Sequence, residues 1–112
     1  MSCIFCQIAS KEIPSELIHE DDELIAFHDI EPQAPVHFLV MPKKHVTRLA
    51  DMDAGDFPLI GKMAKVATEL ARKEGISDGF RIAVNCGEQG GQTVWHVHMH
   101  VLGGKQLNGY LG

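Results

Sequence analysis

The chain predicts an α+β fold: an antiparallel sheet of about five strands, one long helix and a short N-terminal helix. Three observations predict it. Short apolar or alternating runs, bounded by acidic, proline or glycine turns, lie toward both ends of the sequence. One stretch between them carries apolar residues at three- and four-residue spacing, the period of a helix. The length of 112 residues suits a single domain spanning 1–112 with a modest core.

Taken in order, Cys3-Ile4-Phe5-Cys6-Gln7-Ile8-Ala9 reads as a short helical turn packing Ile4, Phe5 and Ile8, closed by Ile13-Pro14. Segments 17–20 and 24–30 are strand-like around the acidic turn Asp21-Asp22-Glu23, hence a hairpin. Pro32 and Pro35 break the next stretch into a loop. Val36-His37-Phe38-Leu39-Val40-Met41 is then an apolar strand stopped by Pro42. The main helix is expected from an N-cap at Asp53 to about residue 74, with Gly75 as its stop. Pro58 falls in the first turn or so, where proline costs least. Leu59, Ile60, Met63, Val66, Ala67 and Leu70 form the stripe that packs against a sheet or a partner. Phe80-Arg81-Ile82-Ala83-Val84 reads as a strand, 85–93 as a glycine-rich turn, and 96–102 as the last strand.

Composition narrows the class of function. Hydrophobic residues make up 45% and charged residues 22%, as in an ordinary globular protein. Ten basic against fifteen acidic residues leave a formal charge of −5, which argues against an extended nucleic-acid surface. A small nucleotide remains compatible, because backbone amides and a few local cations suffice to hold one phosphate. The sequence has no apolar run long enough to span a membrane and no secretory signal, and its three cysteines suggest a reducing compartment. A cytoplasmic protein is expected.

The chemistry concentrates in His96-Val97-His98-Met99-His100-Val101-Leu102. On a β-strand, alternation would send the three imidazoles to one face, about 6.6–7 Å apart, and Val97, Met99 and Val101 to the other. Burying three histidines on one face demands several hydrogen-bond partners, so the row reads as functional rather than accidental. Spacing alone leaves open a nucleophile or a metal ligand. Upstream, Asn85-Cys86-Gly87-Glu88-Gln89-Gly90-Gly91-Gln92-Thr93 is a turn able to offer backbone N–H groups to an anion. Cys3-x-x-Cys6 is either a redox pair or half of a zinc site whose other ligands are histidines. On the residues alone, His19, His28 and His37 read as ordinary surface or strand histidines, and Cys86 has no assigned role.

Gly90-Gly91-Gln92-Thr93-Val94-Trp95-His96-Val97-His98-Met99-His100-Val101-Leu102-Gly103-Gly104 resembles the signature of the histidine-triad (HIT) nucleotide-binding proteins. The resemblance extends through Ile13-Pro14-Ser15, Phe27-His28-Asp29-Ile30, Pro32-Gln33-Ala34-Pro35 and Pro42-Lys43-Lys44-His45. Leu-Gly-Gly-Lys after the triad is closer to the Hint-like nucleoside-phosphoramidate hydrolases than to the dinucleoside-polyphosphate hydrolases, which more typically show Pro-Arg there.

The resemblance implies a HIT-like fold and a purine nucleotide substrate, a phosphoramidate or acyl-nucleotidate. It implies His98 as the nucleophile that forms a nucleotidyl-histidine, with His100 and Thr93 assisting. It places Asn85 and Gly91 against phosphate or ribose, Asp29 on the ribose hydroxyls, and Phe27, His28 and Ile30 around the base. Several relatives carry a structural zinc at positions matching Cys3, Cys6, His45 and His96, and the same is expected here. A homodimer through the long helix and the histidine-strand region is implied too, with the short tail and its Tyr110 reaching the partner's site. The apolar stripe supports that expectation, since with the apolar last strand it offers more hydrophobic surface than one small sheet is expected to cover. Two other functions stay in view: dinucleoside-polyphosphate hydrolysis, and a non-catalytic nucleotide-binding adaptor.

Overall fold

The computed structural model describes residues 3–111. Helix α1 (Ile4–Ala9) is followed by strands β1 (Leu17–Glu20), β2 (Leu24–His28) and β3 (Val36–Pro42), then helix α2 (Pro58–Lys73), β4 (Phe80–Ala83) and β5 (Met99–Gly103). The five strands form one sheet in the order β1-β2-β3-β5-β4, and every neighbouring pair is antiparallel. The expected architecture is the one found.

The alternation of each strand divides the core between two faces. Leu24, Ala26, Phe38, Val40, Val97, Met99 and Val101 face α2, where Leu59, Met63, Val66, Ala67 and Leu70 close over them. The helix stripe is thus covered by the chain's own sheet, so the surplus apolar surface expected there does not exist. On the other face Ile25, Phe27, Leu39 and Met41 pack against Phe5 and Ile8 of α1. That second face is where the histidines lie.

The ends of β2, β3 and β4 differ slightly from expectation, and two larger differences have local reasons. The long helix begins at Pro58, not after Asp53. The Asp53 side chain instead accepts from the N–H groups of Gly55 and Asp56 and caps a separate turn. Proline lacks the N–H that an earlier start would require, and it fits the first helical position. The helix ends as expected, with Gly75 at φ 77°. The last strand begins only at Met99, because the backbone from 94 to 98 is held by loop contacts such as Val97 N–H to the Val46 carbonyl (2.8 Å). Among the described residues, no helix is long and apolar enough to cross a membrane.

Candidate active site and metal centre

His98 is built to hold one protonation state. It is 5% exposed, with its Nδ1 2.8 Å from the His96 carbonyl. A carbonyl only accepts, so Nδ1 carries the proton and Nε2 keeps a bare lone pair. Burial pushes its pKa below the ordinary imidazole value, opposed by the bond to that carbonyl, so the ring is neutral near pH 7. Among the described residues Nε2 has no hydrogen-bond partner and no buried side-chain nitrogen is left unpaired, so this nitrogen reaches the surface. Phe5 meets the ring edge-on at 5.0 Å between centroids and fixes its plane.

A second chain of bonds sets His100. The backbone N–H of Gln33 donates to His37 Nδ1 (3.0 Å), which places the His37 proton on Nε2. That nitrogen lies 2.9 Å from His100 Nδ1 and donates to it, so the His100 proton sits on Nε2. Asp29 Oδ2 stands 3.4 Å from His37 Nε2 and Asp29 Oδ1 accepts from the Glu31 N–H, tying the 29–33 loop to the same group. Burial pushes His37 downward, against the pull of Asp29. Burial, with His98 and His37 beside it, lowers His100 to about 4. His98 and His100 stand 4.8 Å apart between ring centroids. The pair therefore presents a lone pair and an N–H donor side by side.

His96 has the opposite orientation. Its Nε2 donates to the Pro42 carbonyl (2.7 Å), leaving Nδ1 bare. This nitrogen lies 3.5 Å from Cys3 Sγ, 3.5 Å from Cys6 Sγ and 3.3 Å from His45 Nδ1. Cys6 Sγ is 3.3 Å from His45 Nδ1. All four donor atoms lie within 4.8 Å of one another, the span of one ion. The four expected ligands are brought together. Cys3 also caps α1, its sulfur accepting from the Cys6 N–H at 3.4 Å.

Asp29, His37 and His100 make another converging group. Here the Gln33 N–H occupies His37 Nδ1 and keeps a proton on the inward-facing nitrogen, which suits a hydrogen-bond relay better than an ion.

The remaining expected residues divide. Asn85 lies against Gly91, whose φ of 86° requires glycine, and a Cβ there would sit 3.8 Å from Asn85 Nδ2. Phe27 is buried in the second core and packs on Phe5 (5.6 Å). His28 Nε2 lies 3.5 Å from Glu74 Oε1, while Ile30 is 94% exposed beside it in sequence. Thr93 is exposed and, among the described residues, makes no bond to the triad.

Three contributors escaped the sequence. His37 read as an ordinary strand histidine, yet it holds His100. Gln33 acts through its backbone, which no side-chain pattern reveals. Gln92 is 4% exposed, accepts from the Gly87 N–H and donates to the carbonyls of Thr47 and Val94, so it braces the glycine loop. Only the position of Gln92, between Gly91 and Thr93 in the signature, hinted at it. A cleft of about 540 Å³ runs from His37, His100 and Asn85 to Arg81, Lys105 and Asn108.

Comparison with known proteins bears on this geometry. The HIT domain profile matches residues 10–107. Protein HitA of Neisseria gonorrhoeae is 46% identical over 102 residues, covering 91% of this chain and 95% of that protein. The crystal structure of a HIT family hydrolase from Legionella pneumophila Philadelphia 1 superposes with a TM-score of 0.96 at 43% identity, covering 99% of this chain and 100% of that one. A histidine triad protein from Clostridium difficile gives 0.95 at 45% identity, covering 98% and 96%. The alternating histidines, the sheet beside them and the likeness along almost the whole chain together place this protein in the HIT family.

Proposed function

We propose that this chain is a nucleotide hydrolase that cleaves purine nucleoside 5′-phosphoramidates or acyl-nucleotidates through a nucleotidyl-His98 intermediate. The observation that carries the reading is the bare, surface-reaching Nε2 of a neutral His98 whose other nitrogen is bonded to a backbone carbonyl. Lone-pair attack by Nε2 on the α-phosphorus forms an N–P bond as the P–N bond to the amine breaks. The amine departs with a proton delivered through the Thr93 hydroxyl. Water then attacks the same phosphorus, the His98–P bond breaks to return a neutral His98, and the water's proton passes back to the solvent that supplied, through Thr93, the proton carried off by the amine. The His100 Nε2–H donates to a phosphate oxygen in both steps, which stabilises the charge developing there. Asn85 and the Gly91 N–H hold phosphate or ribose, Asp29 the ribose hydroxyls, and Phe27, His28 and Ile30 border the base. The hydrolase description of the Legionella relative supports this class of activity.

The cysteine–histidine cluster is assigned to a structural zinc. Tetrahedral zinc, with bonds of about 2.0 Å to nitrogen and 2.3 Å to sulfur, separates its ligands by about 3.3 Å (N–N) and about 3.5 Å (N–S). The distances here are 3.3 Å between nitrogens and 3.3–3.5 Å from nitrogen to sulfur. Four protein ligands leave no open position, so Cys3, Cys6, His45 and His96 would pin α1, and with it Phe5, to the sheet. The three free cysteines fit a reducing, cytoplasmic setting.

A homodimer remains part of the reading, with its support moved. The helix stripe is spent on the core, whereas β4 is an edge strand with Ile82 38% exposed. Light scattering should give twice the mass of one chain, reduced to one by Ile82→Lys; a wild-type monomer overturns this part.

The central test mixes the protein with adenosine 5′-phosphoramidate and quenches for mass spectrometry. An adenylyl group on His98, absent in His98→Ala, is expected. Turnover without adduct, undiminished in His98→Ala, overturns the mechanism. Nucleotide binding without turnover favours the adaptor reading.

A further inference from the structure

The cleft beside His100 continues past the atoms that the reaction needs. In the β4–β5 register Ala83 pairs with His100 and Arg81 with Leu102, so Arg81 stands one same-face row along the strands, about 7 Å from the His100 row. The chain then turns at Gly104 and brings Lys105 to the same end of the cleft. Arg81 donates to the Asn108 carbonyl, which holds the 105–108 segment as the far wall. None of the ion pairs among the described residues involves Arg81 or Lys105. Among the described residues no carboxylate side chain lines this cleft, although acidic residues outnumber basic ones in the chain by fifteen to ten.

From this geometry we infer that Arg81 and Lys105 form a leaving-group subsite for an anion, so that the preferred substrates carry a carboxylate or phosphate a few bonds beyond the scissile P–N bond. The inference rests on the proposed hydrolase reading for the orientation of the nucleotide, with its phosphorus at His98 and His100. A guanidinium matches either anion through two parallel N–H bonds, and Lys105 adds a point charge. A cationic leaving group meets repulsion in the same place.

The test uses three adenosine 5′-phosphoramidates of equal reach: those of γ-aminobutyrate, γ-aminobutyramide and putrescine. Wild type should show kcat/KM for the acid about tenfold above the amide, and the amide above the diamine. The ratio of acid to amide should fall to about one in Arg81→Gln with Lys105→Gln, and the wild-type ratio should shrink with added salt. A ratio is internal to each protein, so partial loss of folded enzyme cancels. Lys105→Gln alone, at an exposed residue, should lower the ratio about threefold if the Arg81 variant loosens the tail. The aminopropyl phosphate counterpart separates the two sources: the larger gain over the amide marks phosphate or carboxylate as the natural group. Equal wild-type rates, a diamine preference, or a preference kept in the double variant overturns the subsite. The same ligands are titrated onto His98→Ala protein. If wild type cleaves none of them, the hydrolase reading falls. The subsite then stands on a tighter Kd for the acid than for the amide, and falls if the two are equal.

Discussion

His96 and His98 are two residues apart on one backbone stretch, both are nearly fully buried, and they carry opposite tautomers. His96 gives its Nε2–H to the Pro42 carbonyl and turns a bare Nδ1 toward Cys3, Cys6 and His45. His98 gives its Nδ1–H to the His96 carbonyl and keeps a bare Nε2 at the surface. One nitrogen faces two thiols and an imidazole, and the other has no partner among the described residues. What separates the metal-ligand role proposed for His96 from the nucleophile role proposed for His98 is which ring nitrogen meets a backbone carbonyl, since residue type and burial are the same. The two regions also share Phe5, whose ring lies 5.0 Å from His98 and 6.0 Å from His96, so the α1 residue that packs beside the cysteine–histidine cluster also supports the His98 ring.

The sharpest way to break the comparison is to delete each histidine's distinct role. His98→Asn should lower kcat/KM by about 10⁴-fold or more while moving the melting temperature only slightly, because the asparagine amide can keep the bond to the His96 carbonyl and fills much of the buried volume. A comparable loss of stability in a thermal melt would make His98 a structural residue like His96. Next in size, His37→Ala should lower turnover about a hundredfold, since His100 loses the donor that sets its tautomer. His37→Gln, whose amide can donate to His100 Nδ1, should recover part of that loss. Equal activity of wild type and His37→Ala in a steady-state assay would show that His100 needs no partner.

On the other side, Cys3→Ser with Cys6→Ser should abolish metal binding by elemental analysis and lower the melting temperature by about 10 °C or more. Wild-type protein purified without chelator and free of metal, with an unchanged melt in the double variant, would reduce the cluster to packing. A further effect is in pH. His100 titrates at about 4 when folded against an ordinary 6.5, so between those values the unfolded chain binds the additional proton. Stability therefore falls as pH drops from about 6.5 to about 4, by up to about 1.4 kcal/mol per unit from this group. Urea titrations at several pH values should show a shallower slope for His100→Gln; identical slopes would mean that His100 contributes nothing to acid lability.

Much of this was legible in the sequence. Period-two and period-four patterns gave the five strands and the long helix in their order, though not the starts of α2 and β5, because burial on one face forces apolar residues into that repeat. The same alternation sent Val97, Met99 and Val101 into the α2-facing core. The Cys-x-x-Cys turn, with His45 and His96 supplied by resemblance, converges within 4.8 Å as expected. Asp53 misled because an aspartate that accepts local N–H groups looks the same whether it caps a helix or a lone turn.

By itself, then, the sequence determined the layers of the fold, the histidine row and the residue types of both centres, since these follow from local periodicity and short-range spacing. Only the tertiary structure decided which nitrogen of each ring is free, that His37 belongs to the site through the backbone of Gln33, and that the helix stripe is covered by the chain's own sheet. Each of those depends on a partner distant in sequence or on a main-chain group. Gln33 lies four residues from His37, Pro42 lies 54 residues from His96, and His37 lies 63 from His100. Every residue but proline carries the same backbone N–H and every residue the same C=O, so no pattern of side chains announces where they will point.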